Sequence, residues 1–140
     1  MKKPIVAKAK LMGSPFSIVA YPQEWQNQSL IKSYLNLAFG EIKRLENLLT
    51  DFKPSPFNRI NEFAGKKAIH VNSEIIELID ASIQISKDSN GVFDISYASV
   101  GHLWRQAKKN GHPPSQKEID NAKKHVDYKK IEIDYQNLHT

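Results

Sequence analysis

Between residues 31 and 49 apolar side chains recur at Ile31, Leu35, Ala38, Ile42, Leu45 and Leu49, with gaps of 4, 3, 4, 3 and 4. Gaps alternating between four and three follow one face of an α-helix, which turns once in about 3.6 residues. The run predicts one amphipathic helix of about five turns, with Ser29 as its N-cap. An apolar stripe of that length needs a layer to lie on, and the preceding residues supply one. Ile5–Val6–Ala7 and Phe16–Ser17–Ile18–Val19–Ala20–Tyr21 are β-rich runs separated by Met12–Gly13–Ser14–Pro15, which punctuates like a turn. An antiparallel hairpin is expected there.

Beyond the long helix the elements shorten. Ser55–Pro56 offers an N-cap with proline at the first helical position, opening a short helix through Phe57, Ile60 and Phe63 to a stop at Gly65. Ala68–Ile69–His70–Val71 reads as a brief strand. Ser73 caps a second long helix that buries Ile76, Ile79 and Ile83 and ends near Ser89–Asn90–Gly91. Val100, Leu103, Trp104 and Ala107 mark another helix, closed by Asn110–Gly111. Ser115–Gln116–Lys117–Glu118 is a capping box with Ile119 and Ala122 behind it. Lys130–Ile131–Glu132–Ile133–Asp134 alternates like a strand with one wet face. The fold class expected is α+β: an N-terminal β-hairpin and short strands packed with two long amphipathic helices and shorter helices. A polar-faced strand at Lys130–Asp134, with only a few residues after it to Leu138–His139–Thr140, also suggests that the polypeptide continues.

Composition limits the chemistry. No run approaches the ~18 consecutive apolar residues of a membrane span. Met1–Lys2–Lys3–Pro4 opens like a signal peptide, but Lys8 and Lys10 interrupt the next residues and no apolar core region develops. The sequence has no cysteine, which excludes disulfides, thiolate catalysis, thiolate zinc sites and a lipid-bearing cysteine within these residues. The net charge is +5, concentrated in the first 14 residues and after residue 104. Lys108, Lys109, Lys123 and Lys124, with Trp104 and Tyr128 nearby, could in principle meet nucleic acid. The lysine pairs are short and broken by acids, as on solvated helix faces, and no nucleic-acid module matches, so no nucleic-acid partner is expected.

The familiar catalytic patterns are absent. His70, His102, His112, His125 and His139 never stand with each other or with acids at metal-ligand spacing. The six glycines are scattered singly, so no phosphate-binding loop forms, and Ser14, Ser96 and Ser99 lack a nucleophile's context. Three loops remain. Leu11–Met12–Gly13–Ser14–Pro15–Phe16 puts a bulky apolar residue at a tight turn; taken alone, Met12 reads as core or hairpin packing. Asp51–Phe52–Lys53–Pro54–Ser55 is a polar loop with an aromatic in it, and Phe52 alone reads as a core plug. Asn90–Gly91–Val92–Phe93–Asp94–Ile95–Ser96 carries one acid inside an apolar run. An unpaired buried carboxylate is costly, so Asp94 is either a cap for nearby backbone N–H groups or a ligand contact, and the residues leave both open.

In this order the three loops resemble the ApbE family of flavin transferases. The resemblance runs through Met12–Gly13–Ser14–Pro15–Phe16, Phe52–Lys53–Pro54–Ser55 with Arg59–Ile60–Asn61, Gly91–Val92–Phe93–Asp94–Ile95–Ser96 and Leu103–Trp104. Pro113–Pro114–Ser115 and Asp127–Tyr128–Lys129–Lys130–Ile131 extend it over nearly the whole chain. It implies an ApbE-like (T-fold-related) half and an enzyme that binds FAD with Mg²⁺, splits the pyrophosphate and transfers FMN to a threonine hydroxyl of an acceptor flavoprotein, with AMP leaving. Carried over position by position, the FAD contacts implied are Met12, Phe52, Val92, Phe93 and Asp94. Sulfur-bearing and aromatic side chains pack on flat rings, and a carboxylate accepts from an adenine amine or a ribose hydroxyl. Phe52 stands where the family pattern has tyrosine, which keeps stacking and loses a hydroxyl.

The family's later Asp-Leu-Gly-Gly-x-x-Lys-Gly and Asn-x-Gly-Gly-Asp stretches, and the acidic and threonine Mg²⁺ ligands after them, are absent from these residues. Residues 1–140 are therefore expected to be the N-terminal portion of a single transferase domain, with no catalytic or metal-binding residue of its own and no transfer activity alone. The other reading is a stand-alone module that binds a flavin nucleotide or docks a partner without chemistry. The resemblance also implies a periplasmic or cell-envelope setting, with membrane contact only through a lipid anchor that these residues do not carry.

Overall fold

A computed structural model of the chain describes residues 3–138 and 140. Met1, Lys2 and His139 lie outside the described residues, and with them the start of the signal-like segment and one of the five histidines. Among the described residues the architecture is mixed α and β, with a two-stranded antiparallel sheet, five α-helices and a short 3₁₀ turn. The chain divides into two compact units, one ending at Ala64 and the other beginning at Gly65.

In the first unit, β1 (Ile5–Leu11) pairs antiparallel with β2 (Ser14–Ala20), in a register running from Ile5 opposite Ala20 to Leu11 opposite Ser14. Because strand side chains alternate, Ile5, Ala7, Ala9 and Leu11 share the better-covered face with Phe16, Ile18 and Ala20, while Val6, Lys8 and Lys10 face outward. The predicted long helix is α1 (Gln28–Leu49), packed on both strands. Its stripe lies as the spacing requires: Ile31 and Leu35 are buried, and Ala38, Ile42, Leu45 and Leu49 are half-buried. The cap is Asn27 rather than Ser29, its side chain accepting the Leu30 N–H at 2.8 Å. A helix begins at the first residue able to satisfy its orphan N–H groups, and asparagine is as competent there as serine. α2 (Pro56–Phe63) packs on α1 and begins as expected, with Ser55 accepting the Asn58 N–H at 2.9 Å.

The second unit is built on α3 (Ser73–Asp88), which buries Ile75, Ile76, Ile79, Ser82 and Ser86. Its cap is Asn72, one residue before the serine expected to serve. Ser86 is fully buried, and its hydroxyl is satisfied by the Ser82 carbonyl one turn back at 2.9 Å. α4 (Ala98–Asn110) ends where Gly111 takes the left-handed conformation at φ 78°. α5 (Gln116–Lys123) packs on α4 and carries the complete Ser115–Glu118 capping box.

Two predicted strands turn out differently. Ile69 and Val71 are buried, and the brief strand is reduced to a single bridge at His70: Ile69 and Thr140 exchange backbone bonds at 2.8 and 3.1 Å, and the Val71 N–H donates to the Leu138 carbonyl at 2.9 Å. Lys130–Asp134 is not a strand: the Asp127 side chain accepts the Lys129 N–H at 3.0 Å and nucleates a 3₁₀ turn over Tyr128–Lys130. The alternation persists beyond that turn, with Ile131 and Ile133 half-buried and Glu132 exposed. Only Asp134 makes a bridge, so the alternation records which face is covered more than it does a paired edge.

Candidate functional site

The first loop is the hairpin turn. With Leu11 opposite Ser14 only Met12 and Gly13 lie between the strands, and both have positive φ, 49° and 73°. Two central residues at positive φ make a type I′ turn, the two-residue connection whose twist matches the strands. Glycine occupies such a conformation freely, whereas a methionine there is strained. Met12 is 46% exposed, so it is not buried hairpin packing. Its backbone N–H donates to Glu46 Oε1 on α1 at 2.8 Å.

The second loop leaves the end of the same helix. The Phe52 N–H donates to Thr50 Oγ1 at 3.2 Å, and the buried Ser55 hydroxyl donates to the Thr50 carbonyl at 2.6 Å, closing the loop at its base. Lys53 Nζ reaches back to Asn47 Oδ1 at 2.9 Å. Phe52 itself is 80% exposed, which overturns its reading as a core plug: the polar tethers at Thr50 and Ser55 fasten the loop. The Met12 turn and the Phe52 loop are thus both tied to the C-terminal end of α1, through Glu46, Asn47 and the C-cap residue Thr50.

Glu46 belongs to none of the three sequence motifs. It is paired with Lys43, accepts the Met12 N–H and lies near Lys53; these interactions, the Lys43 hydrogen bond foremost, hold its carboxyl below its usual value. Contact across 34 positions, made by a side chain that also fits any solvated helix face, leaves no signal in spacing.

The third loop leaves the end of α3. Gly91 N–H donates to the Ser86 carbonyl at 2.8 Å and Asn90 N–H to Lys87 at 3.0 Å, with Asn90 at φ 51° and Gly91 at φ 79°. That pair of bonds is a Schellman motif, which stops the helix and turns the chain sharply. The turn leaves Val92 91% and Phe93 42% exposed. The Phe93 N–H donates to the Ser89 hydroxyl at 3.1 Å.

Asp94 is half-buried and engaged on both oxygens. Oδ1 accepts the Ser96 N–H at 2.8 Å and the Ser96 hydroxyl at 2.7 Å, and Oδ2 accepts the Tyr128 N–H at 2.9 Å. Ser96 Oγ in turn accepts the Asp127 N–H at 2.8 Å. The carboxylate is therefore a turn cap that also clamps the Val92–Phe93 loop to the 3₁₀ turn. An ionised carboxylate offers about four acceptor positions, so three bonds leave Asp94 room for one more donor.

Other features contribute little chemistry. His70 Nδ1 lies 2.9 Å from the Asn137 carbonyl, and the His102 ring accepts from Arg105. Among the described residues no group of three His, Asp or Glu is placed to hold a metal ion. A groove of about 560 Å³ on the hairpin is lined by Lys8, Lys10 and Phe16, and a shallower one of about 380 Å³ flanks Trp104; neither includes the five predicted contact residues. No described helix is long and apolar enough to cross a membrane.

Comparison with known proteins places this geometry in context. The model of the ApbE family matches residues 12–140. No curated protein matches the sequence significantly. Among solved structures, the apbe protein from Thermotoga maritima is similar over 98% of this chain and 44% of its own, at TM-score 0.79 and 23% identity. A mutant of the flavin transferase ApbE from Vibrio cholerae is similar over 99% of this chain and 48% of its own, at TM-score 0.80 and 14% identity. The apo form of the Pseudomonas stutzeri flavinyl transferase ApbE is similar over 94% and 42%, at TM-score 0.78 and 20% identity. At these identities the likeness is one of fold, and the chain spans less than half the length of each solved chain.

Proposed function

Because the chain belongs to the ApbE family, we propose that it carries FAD-handling side chains of a flavin transferase, as the N-terminal portion of one transferase domain. In the proposed reaction a threonine oxygen of an acceptor flavoprotein bonds to the FMN phosphorus of FAD. The pyrophosphate bond to AMP breaks, and the threonine proton is lost. Mg²⁺ would neutralise charge on the pyrophosphate; no group of three His, Asp or Glu among the described residues is placed to hold it, and no step is assigned to the chain through it. The role of this chain is to hold the nucleotide.

One observation carries the reading. In the first unit Phe52 is 80% exposed, and in the second unit Val92 is 91% exposed, each an apolar side chain on a loop whose backbone is hydrogen-bonded at its base. Rigid exposed apolar side chains suit stacking and packing on a flat ring, since little ordering entropy remains to be lost on binding. Met12 adds a polarisable sulfur, Phe93 a partly exposed ring, and Asp94 a free acceptor position for an amine or a ribose hydroxyl.

The test is an NMR titration of the 140-residue chain with FAD, with and without Mg²⁺, on wild type, Phe52→Ala and Asp94→Ala. Weak binding that Mg²⁺ does not strengthen is expected, with each substitution weakening it about tenfold, the scale of one lost aromatic stack. Unchanged affinity in both variants would return Phe52 and Asp94 to structural roles. Tight, Mg²⁺-dependent binding would overturn the expectation that the metal ligands lie outside these residues.

A further inference from the structure

The Met12 turn combines two features that do not ordinarily go together. Its first central position, at φ 49°, is one that type I′ turns fill with asparagine, aspartate or glycine, and here it holds methionine. A strained residue of this kind persists where its surroundings over-determine it. The added constraint is Glu46, whose Oε1 accepts the Met12 N–H at 2.8 Å from 34 positions away. Glu46 is itself held by Lys43, one turn back on α1. The segment that bears Phe52 leaves the same helix end, tied by Lys53 to Asn47 and by Phe52 to Thr50.

We propose that Glu46 is a positioning residue of the flavin-binding surface: by accepting the Met12 N–H it fastens the hairpin turn to the end of α1, so that the Met12 side chain is presented alongside the Phe52 loop. Glu46 does not touch the ligand in this account and acts through Met12. The inference rests on the flavin reading of Met12 and Phe52, and it adds a residue that the family motifs do not contain. A glutamate needed only for helix solubility would be replaceable by any polar residue, whereas a positioning acceptor requires an oxygen at this site.

The experiment compares wild type, Glu46→Ala and Glu46→Gln in the 140-residue chain. Amide hydrogen exchange at Met12 is read without ligand, and FAD affinity is read by NMR titration. In Glu46→Ala the Met12 N–H loses its acceptor and should exchange at least about tenfold faster. FAD affinity should fall about fivefold to tenfold, the scale of one ordinary hydrogen bond. Glu46→Gln keeps an acceptor oxygen and should stay within about twofold of wild type in both readings. Faster exchange with unchanged FAD affinity would overturn the positioning role and leave Glu46 a purely structural tether. Unchanged exchange in Glu46→Ala would overturn the contact itself. If wild type binds no FAD, the flavin reading fails and the function given to Glu46 fails with it. The wild-type titration alone separates that result from the others.

Discussion

The Ser96 hydroxyl accepts the backbone N–H of Asp127 at 2.8 Å across 31 positions of sequence, while donating its own proton to Asp94 Oδ1 at 2.7 Å. One hydroxyl therefore joins the loop between α3 and α4 to the segment entering the 3₁₀ turn, with Asp94 closing the ring through the Tyr128 N–H. Ser96→Ala leaves the half-buried Asp127 N–H without its acceptor. The expected loss is about 1–2 kcal/mol of unfolding free energy, since a donor left unsatisfied costs more than the bond contributes. Ser96→Thr keeps both bonds and should restore most of it. Urea denaturation of the three proteins measures this, and equal midpoints would mean that water replaces the hydroxyl without penalty.

Phe52→Ala should do the reverse. A ring that is 80% exposed buries little apolar area, so its removal should change stability by less than about 0.5 kcal/mol. Its effect should fall on the flavin nucleotide instead. Thermal unfolding and FAD titration of the same variant decide the matter: a large loss of stability with unchanged affinity would mean that the ring packs on protein.

How far these features can be read from sequence depends on the distance over which each interaction acts. The α1 stripe is periodic and local, and the Ser55 and Ser115 caps satisfy N–H groups three residues ahead, so all three are legible. The starts of α1 and α3 shift by two and one residues because Asn27 and Asn72 stand before the serines and cap equally well. Half of Asp94's role is local and open to inference, the Ser96 N–H two residues on; the other half, at Tyr128, is not. Phe52 misleads for a related reason. An aromatic next to a helix end is ordinarily buried, and only the tethers at Thr50 and Ser55 show that its loop closes without it. Lys130–Asp134 alternates but bridges only at Asp134, since the pattern specifies a face and not a partner.

The lowered proton affinity of Glu46 gives the Met12 contact a definite pH dependence. The folded-state value lies below the ordinary 4.5, chiefly through the Lys43 hydrogen bond and next through the Met12 N–H. A depressed carboxylate contributes stability that is fully present above its unfolded value and lost as the pH falls through the folded one. The contact should therefore be intact at neutral pH and at about pH 5, and should weaken only below 4.5. The Met12 amide proton shift, followed by NMR through an acid titration, should move with a midpoint under 4.5. That transition should vanish in Glu46→Gln. A midpoint at or above the ordinary value would mean that neither Lys43 nor Met12 acts on the carboxylate in solution.

Met12→Asn separates folding from ligand handling at one position. Asparagine tolerates the left-handed region that methionine occupies under strain, and Asn-Gly is the favoured pair of a type I′ turn. With Gly13 already in place at φ 73°, the substitution should stabilise the hairpin by about 0.5–1 kcal/mol. It also removes the thioether that the proposed site turns toward a flat ring, so FAD binding should weaken about fivefold as stability rises. The opposing signs are the point of the test. If stability and affinity both rise, Met12 is not a flavin contact. If stability falls, the Met12 side chain has packing that its 46% exposure does not reveal, and the strain assigned to the turn is already relieved by it.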